Sequence, residues 1–388
     1  MKVLWITPVY PNEYQPYSGV FCQIQAHHIA DLGLVPEIVV PVPYVSPLVK
    51  WMNQRYGFFN SMAGHAEDGP IHISRVRYIT SPREYVFGVS HVTQRLAISA
   101  LNLKKPNLIH AHFAYPVGAA AIDMAKKWKI PLILTLYGDD VTIHPYVSRW
   151  HLRRFQRTVR QSDMIIALSE ALADETEELS GRKPRVLSSG VDMHRFGNLP
   201  NNLSMRKKHG ISSDDFVVTY IGNLLIEKGV LDLVAAFERC NSNHSRLIFI
   251  GDGPDKPTGP LIMHFGKRPN QDIPQFLAMA DVLVLPSHHE GLGQVILEAG
   301  AAGKPVVGAS TGGIKNLLSD DRGWLFNPKD THVLARCLDE VKQNSQEAKR
   351  RGNRLKTHIM EYHSPSKNAS TLIKWYRSLI QQNNRLLS

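Results

Sequence analysis

Cysteine is scarce: Cys22, Cys240 and Cys337 lie far apart, with no C-x-x-C pair. An odd set of scattered thiols excludes a disulfide-built scaffold and fits a reducing compartment. No apolar run approaches the ~18 residues that a membrane-spanning helix needs. The opening MKVLWITPVYP is cut by proline before a signal core is complete, so it reads as a first strand. Solenoid-length repeats and low-complexity tracts are also missing. What is present is a basic chain of 388 residues, with 45 Lys and Arg against 34 Asp and Glu, a formal charge of +11. Both halves share the excess, unlike the basic tail of many nucleic-acid proteins. The expectation is a cytoplasmic α/β protein of two domains, with no nucleic-acid partner.

Short apolar runs alternate with helical stretches. Val3–Thr7, Glu37–Val42, Leu108–Ala111, Leu132–Leu136 and Met164–Ala167 read as buried parallel strands, and Phe21–Leu32 and Ala119–Lys127 as helices between them. After the polar stretch Asn198–Ser213 the pattern restarts, with Phe216–Ile221, Leu247–Ile250, Leu261–Phe265, Val282–Leu285 and Pro305–Gly308. This implies two Rossmann-like domains facing each other across a cleft, residues 1–195 and 196–365, with ligands beyond the carboxyl ends of the strands. The stretch Pro41–Asn60 carries five aromatics and no clear period; it is either an irregular packed loop or one that touches an acceptor or membrane.

The strongest chemical signal is the run His288-His289-Glu290-Gly291-Leu292-Gly293-Gln294-Val295-Ile296-Leu297-Glu298-Ala299, a strand-to-helix turn bracketed by two glutamates. Gly291 and Gly293 let backbone approach a ligand, and the free N–H groups of the first helical turn suit a phosphate. Glu290 stands where a sugar ring would lie beside that phosphate, and Glu298 where a carboxylate can accept from two vicinal hydroxyls. No Asp-x-Asp pair and no ligand-spaced His cluster accompanies them, so no metal or other cofactor is expected.

Glu290-x7-Glu298, with Gly303-Lys304-Pro305 and Gly312-Gly313-Ile314 after it, resembles the C-terminal signature of the retaining glycosyltransferases of family 4. The likeness extends through Pro16–Gly19, His110-Ala111-His112-Phe113, Ser189-Gly190-Val191-Asp192, Ile221-Gly222-Asn223-Leu224, Glu227-Lys228-Gly229 and Gly251-Asp252-Gly253-Pro254. It implies the GT-B fold, a last helix (about residues 366–388) crossing back onto the first domain, and transfer of a sugar from a nucleotide-sugar to an acceptor hydroxyl with retention. In that resemblance Glu290 contacts donor hydroxyls, Glu298 the ribose, the amides around Gly291, Leu292, Gly293 and Gln294 the diphosphate, and Gly19 the donor side of the first domain. Lys228 neutralises the leaving diphosphate.

Three positions depart from the family. Asn223 stands where an arginine is usual, and Lys267-Arg268 are candidates to replace the missing charge. Tyr137 stands where many members place a histidine, and Asn316 where a glutamate is usual. Asp140 matches a frequent aspartate; it is either an acceptor-side carboxylate or a helix cap. His112, at a strand end, is either an acceptor contact or a hydrogen-bonded core residue.

Arg149–Arg160 holds five arginines and no acid. At 100° per residue Arg149, Arg153, Arg157 and Arg160 share one face, opposite Leu152, Phe155 and Val159. That face is either solvated or meets anionic headgroups or a polyanionic acceptor, touching a membrane through charge without insertion. The resulting expectation is a metal-independent retaining hexosyltransferase acting on a saccharide or lipid-linked saccharide, cytoplasmic and peripheral to the membrane. A GT-B-fold nucleotide-sugar epimerase and a catalytically impaired binding homologue remain as alternatives.

Overall fold

The computed structural model describes residues 1–46, 54–80, 90–240 and 244–387. Trp51, in the aromatic stretch Pro41–Asn60, lies outside them; Phe58 and Phe59 of the same stretch stack at 4.3 Å and pack against the core. The chain divides into two compact units, Met1–Ser189 with Pro365–Ser388, and Gly190–Ser364.

In the first unit the strands are β1 (Val3–Ile6), β2 (Glu37–Tyr44), β3 (His65–Asp68), β4 (Ile71–Ile79), β5 (Leu108–His112), β6 (Leu132–Leu136), β7 (Met164–Ala167) and β8 (Arg185–Val186). Among the described residues they form one sheet in the order β3-β4-β2-β1-β5-β6-β7-β8. All pairs are parallel except β3 with β4. The central strands are buried on both faces, hence their unbroken apolar sequences. The strand β1 has β2 on one side and β5 on the other, so the order reverses there and leaves a crevice at their carboxyl ends.

The final helix, Pro365–Leu387, belongs to this first unit although the second intervenes in sequence. Ala369, Leu372, Ile373 and Tyr376 fall at i, i+3, i+4 and i+7, and this stripe is buried in the same core as Trp5, Ile29 and Ile133. Loss of one such side chain, as in Leu372→Ala, costs about 2–5 kcal/mol.

The second unit contains β9 (Phe216–Ile221), β10 (Ser245–Ile250), β11 (Ile262–His264), β12 (Val282–Leu285), β13 (Val306–Ala309) and β14 (Trp324–Phe326). Their order is β11-β10-β9-β12-β13-β14, all parallel. Here the order reverses at β9, between β10 and β12.

The division falls between Ser189 and Gly190, ahead of the expected residue 195. Hydrogen bonds explain the position. Gln294 donates its amide to the Gly190 carbonyl (3.1 Å), and Val191 N–H donates to the His363 carbonyl. Asp192 caps the helix Met193–Gly197 through the N–H groups of His194 and Arg195.

Candidate active site

The loops after β9 and β12 interlock at the reversal of the second sheet. His288 N–H donates to the Glu227 carbonyl, and the His288 ring meets Asp232 at 2.6 Å. Thr311 Oγ1 donates to the Ser287 carbonyl. Gly312 lets a third loop close in: a Cβ there would stand 1.8 Å from the Glu290 carbonyl oxygen, so no larger residue fits. On this scaffold Lys228 Nζ reaches Glu290 Oε2 at 3.1 Å, with the two side chains 25% and 22% exposed. A pair so placed is fixed in geometry and open to a ligand. Gly291, Leu292 and Gly293 lead from Glu290 into the helix Gln294–Ala301, whose first N–H groups are the donors of a helix start. Leu292 is buried and anchors the turn.

Glu298 lies in the second turn of that helix and is buried. Burial pushes its carboxyl up to about 7, against the opposing pull of an Asn270 hydrogen bond and the Arg195 charge. The bond runs from Asn270 Nδ2 to Glu298 Oε1 at 3.0 Å, and Arg195 in turn donates to Asn270 Oδ1 at 2.7 Å. Asn270 and Arg195 are absent from the sequence reading. Arg195 carries a weak signal, three residues after the Gly190-Val191-Asp192 run; Asn270 carries none, because a side-chain amide in a loop has no period or spacing to betray it.

Asn223 is exposed at the end of β9, where its carbonyl accepts from Tyr220 Oη. Lys267 and Arg268, expected to supply the missing charge, follow β11, two strands and so about 10 Å from β9. Arg268 Nε donates to the Phe265 carbonyl at 2.8 Å and its guanidinium lies over Phe276. Both contacts are made to residues near Arg268 in its own unit, and its side chain is otherwise exposed.

The first unit treats its expected site residues differently. Asp140 is 2% exposed; Oδ1 accepts from the N–H groups of Tyr137 and Gly138, and Oδ2 from Ala114. All three contacts are backbone, so Asp140 clamps the turns after β5 and β6 and is corrected from acceptor-side carboxylate to structural residue. His112 is fully buried, its Nδ1 2.6 Å from Tyr137 Oη, and burial lowers it to about 3, so it stays neutral. It is a core histidine by burial, and its Nε2 has no hydrogen-bond partner among the described residues. Half-buried Tyr137, where the family has a histidine, is thus the partner of this ring. Gly19 has φ 77°, and a Cβ there would come within 2.7 Å of the Val9 backbone; the glycine admits the chain turn into the helix Val20–Asp31. Among the described residues no three His, Cys, Asp or Glu side chains cluster as metal ligands would.

The geometry can be set beside known proteins. The family model described as Glycosyltransferase Family 4 matches residues 54–195, and that for Glycosyl transferases group 1 matches residues 201–358. A Bacillus subtilis glycosyltransferase, TuaC, named for teichuronic acid biosynthesis, is 34% identical over 346 residues, 87% of this chain and 88% of its own. The chain belongs to the group 1 glycosyltransferases of family 4. Solved structures agree with the GT-B fold of this glycosyltransferase. Anabaena HepE in complex with UDP-glucose superposes with a TM-score of 0.76 at 19% identity, covering 98% of this chain and 100% of that one. Sucrose-phosphate synthase of Thermosynechococcus elongatus gives 0.81 at 17% identity, with 98% and 100% coverage.

Proposed function

We propose that this glycosyltransferase moves a sugar from a nucleoside-diphosphate sugar to a saccharide hydroxyl, with retention at the anomeric carbon, in the synthesis of a surface polysaccharide. The observation that carries the reading is the Lys228–Glu290 pair beside the start of the helix Gln294–Ala301, with Glu298 one turn further in. HepE is solved in complex with UDP-glucose and TuaC is named for teichuronic acid biosynthesis, which supports a nucleotide-sugar donor and a saccharide product.

In this reading the helix start and Lys228 receive the diphosphate, Glu290 a sugar hydroxyl, and Glu298 the ribose diol. As the bond from C1 to the diphosphate oxygen breaks, the new bond from C1 to the acceptor oxygen forms on the same face. The acceptor proton passes to the departing diphosphate. A fixed ammonium and oriented N–H groups lower the barrier because they are already aimed at the growing negative charge. Glu290 is engaged by Lys228 and Glu298 by Asn270, so neither is offered as a covalent nucleophile. The cation is protein-borne, and we propose that no metal is needed.

We place the acceptor on a lipid carrier at the cytoplasmic membrane surface, reached through the basic face of Arg149, Arg153 and Arg157. Among the described residues no helix is long and apolar enough to cross a membrane. A panel of UDP- and GDP-sugars, with product configuration read by NMR and EDTA present, tests the reaction. We expect transfer with retention, undiminished by EDTA. An inverted product, epimerised donor without acceptor, or a rate restored only by a divalent cation would overturn it.

A further inference from the structure

The helix Arg149–Gln161 divides its five arginines among different tasks. Arg160 Nε donates to the Ser180 carbonyl at 2.9 Å, which ties it to the end of the helix Glu170–Ser180 while its side chain stays exposed. Arg154 stacks 3.6 Å from the Trp150 ring centre and donates to Tyr115 Oη at 3.1 Å. Arg149, Arg153 and Arg157 are exposed, and no carboxylate among the described residues pairs with them.

Arg153, Arg154 and Arg157, with Trp150, Tyr115 and Ile122, line a cavity of about 320 Å³. The acid on its wall, Asp123, is already bonded to Arg95 at 3.0 Å. The cavity is therefore a cationic hollow with an aromatic floor, of a size that admits a small polar group. Just before it in sequence, Tyr146, Val147 and Trp150 are 62%, 49% and 54% exposed. Tyrosine and tryptophan beside unpaired arginines are the composition that settles at the headgroup level of a bilayer, where rings meet the acyl boundary and cations meet phosphate.

We propose that this cavity seats the phosphate of an anionic phospholipid headgroup. Arg153 and Arg157 hold its oxygens, the Arg154–Tyr115 pair forms the floor, and Val147 and Trp150 enter the interface. The inference rests on the reading that this face meets a membrane, and it adds insertion to what the sequence alone expressed as charge. Unpaired cations around the hollow favour lipid phosphate over a neutral headgroup, and the exposed rings favour a lipid over a soluble anion.

The test is co-sedimentation of the full chain with phosphatidylglycerol-containing vesicles and with pure phosphatidylcholine vesicles. We expect binding to the former alone. Arg153→Ala with Arg157→Ala should weaken it about 25-fold, at about fivefold per arginine, while Lys207→Ala with Lys208→Ala leaves it unchanged. Trp150→Ala should abolish the part of binding that survives raised salt. Equal binding to both vesicles, or a double variant within twofold of the parent, would overturn the site. So would protection of the cavity by inorganic phosphate without vesicle binding, since that makes the ligand a soluble anion. Thermal melting checks folding, and transfer to a water-soluble acceptor separates this failure from that of the proposed reaction.

Discussion

Both units carry polar residues beyond the ends of parallel strands, yet they use them in opposite ways. In the first, His110, His112 and Asp140 are buried and Tyr137 half-buried, and side chains or backbone hold all of them except at His112 Nε2, which has no hydrogen-bond partner among the described residues. His110 Nδ1 meets Tyr376 Oη at 2.6 Å and its Nε2 meets Thr135 at 2.7 Å, while Trp5 Nε1 donates to the same Tyr376 oxygen. This network pins the final helix to the sheet. In the second, Lys228 and Glu290 keep about a quarter of their side-chain surface open. A polar side chain at a strand end becomes a site when it retains capacity for a ligand; one whose capacity is spent internally specifies the fold.

Four results would break or sharpen this contrast. The largest effect is expected at Lys228→Ala, which should lower kcat by about 10²–10³-fold, the usual cost of removing one fixed donor of transition-state charge. An unchanged kcat in steady-state assays would dissolve the assignment, while Lys228→Arg should recover part of the rate. In the first unit, Asp140→Ala orphans three backbone donors and should cost about 3 kcal/mol in a denaturant titration. It should leave the donor KM near that of the parent, and a kcat loss in folded protein would return Asp140 to the chemistry.

Third, a ribose diol needs the ionised form of Glu298, whose carboxyl titrates near 7. UDP affinity should rise about tenfold from pH 6 to pH 8 and then level off. Glu298→Gln should flatten the profile in calorimetry, and Asn270→Ala should move its midpoint upward by removing a bond that favours the charge. A pH-independent parent would sever Glu298 from the nucleotide.

The smallest effect is on stability, where His112 and Glu298 act with opposite signs. The folded-state pKa of His112 is depressed, so the unfolded chain binds the extra proton between pH 6.5 and about 3, and this group costs stability as acid is added over that window. Glu298 is raised, so the folded state binds the extra proton between about 7 and 4.5 and this group gains stability with acid there, against His363 of the same unit, which burial lowers to about 4. Near pH 5.5 each amounts to about 1–2 kcal/mol. Scanning calorimetry at pH 8 and pH 5.5 should show Glu298→Gln losing more stability to acid than the parent and His112→Gln losing less, and equal losses would refute the contrast.

The fold was legible because buried parallel strands write themselves as apolar runs. Five runs were read in each half, and all appear as strands with ends shifted by a residue or two. The β3–β4 hairpin was not read: its strands alternate burial and carry His65, Glu67, Arg75 and Arg77, so no apolar run marks them. In the second unit the glycine spacing around Glu290 identified the helix start, since only backbone geometry needs to be encoded there. In the first unit Asp140 and His112 each admit two readings from sequence, because residue type alone does not state whether a polar group faces a ligand or its own core.

The sequence by itself determined the two α/β units, the family and the turn that presents Glu290, because apolar periodicity and glycine requirements are local properties. Tertiary structure alone decided that Lys228 meets Glu290 across 62 residues of chain. It likewise turned Arg160 into a clamp and Arg153 and Arg157 into walls of a cavity. Those outcomes depend on which loops the sheet order brings together and which charges find a partner on the way, and no single stretch of sequence contains either.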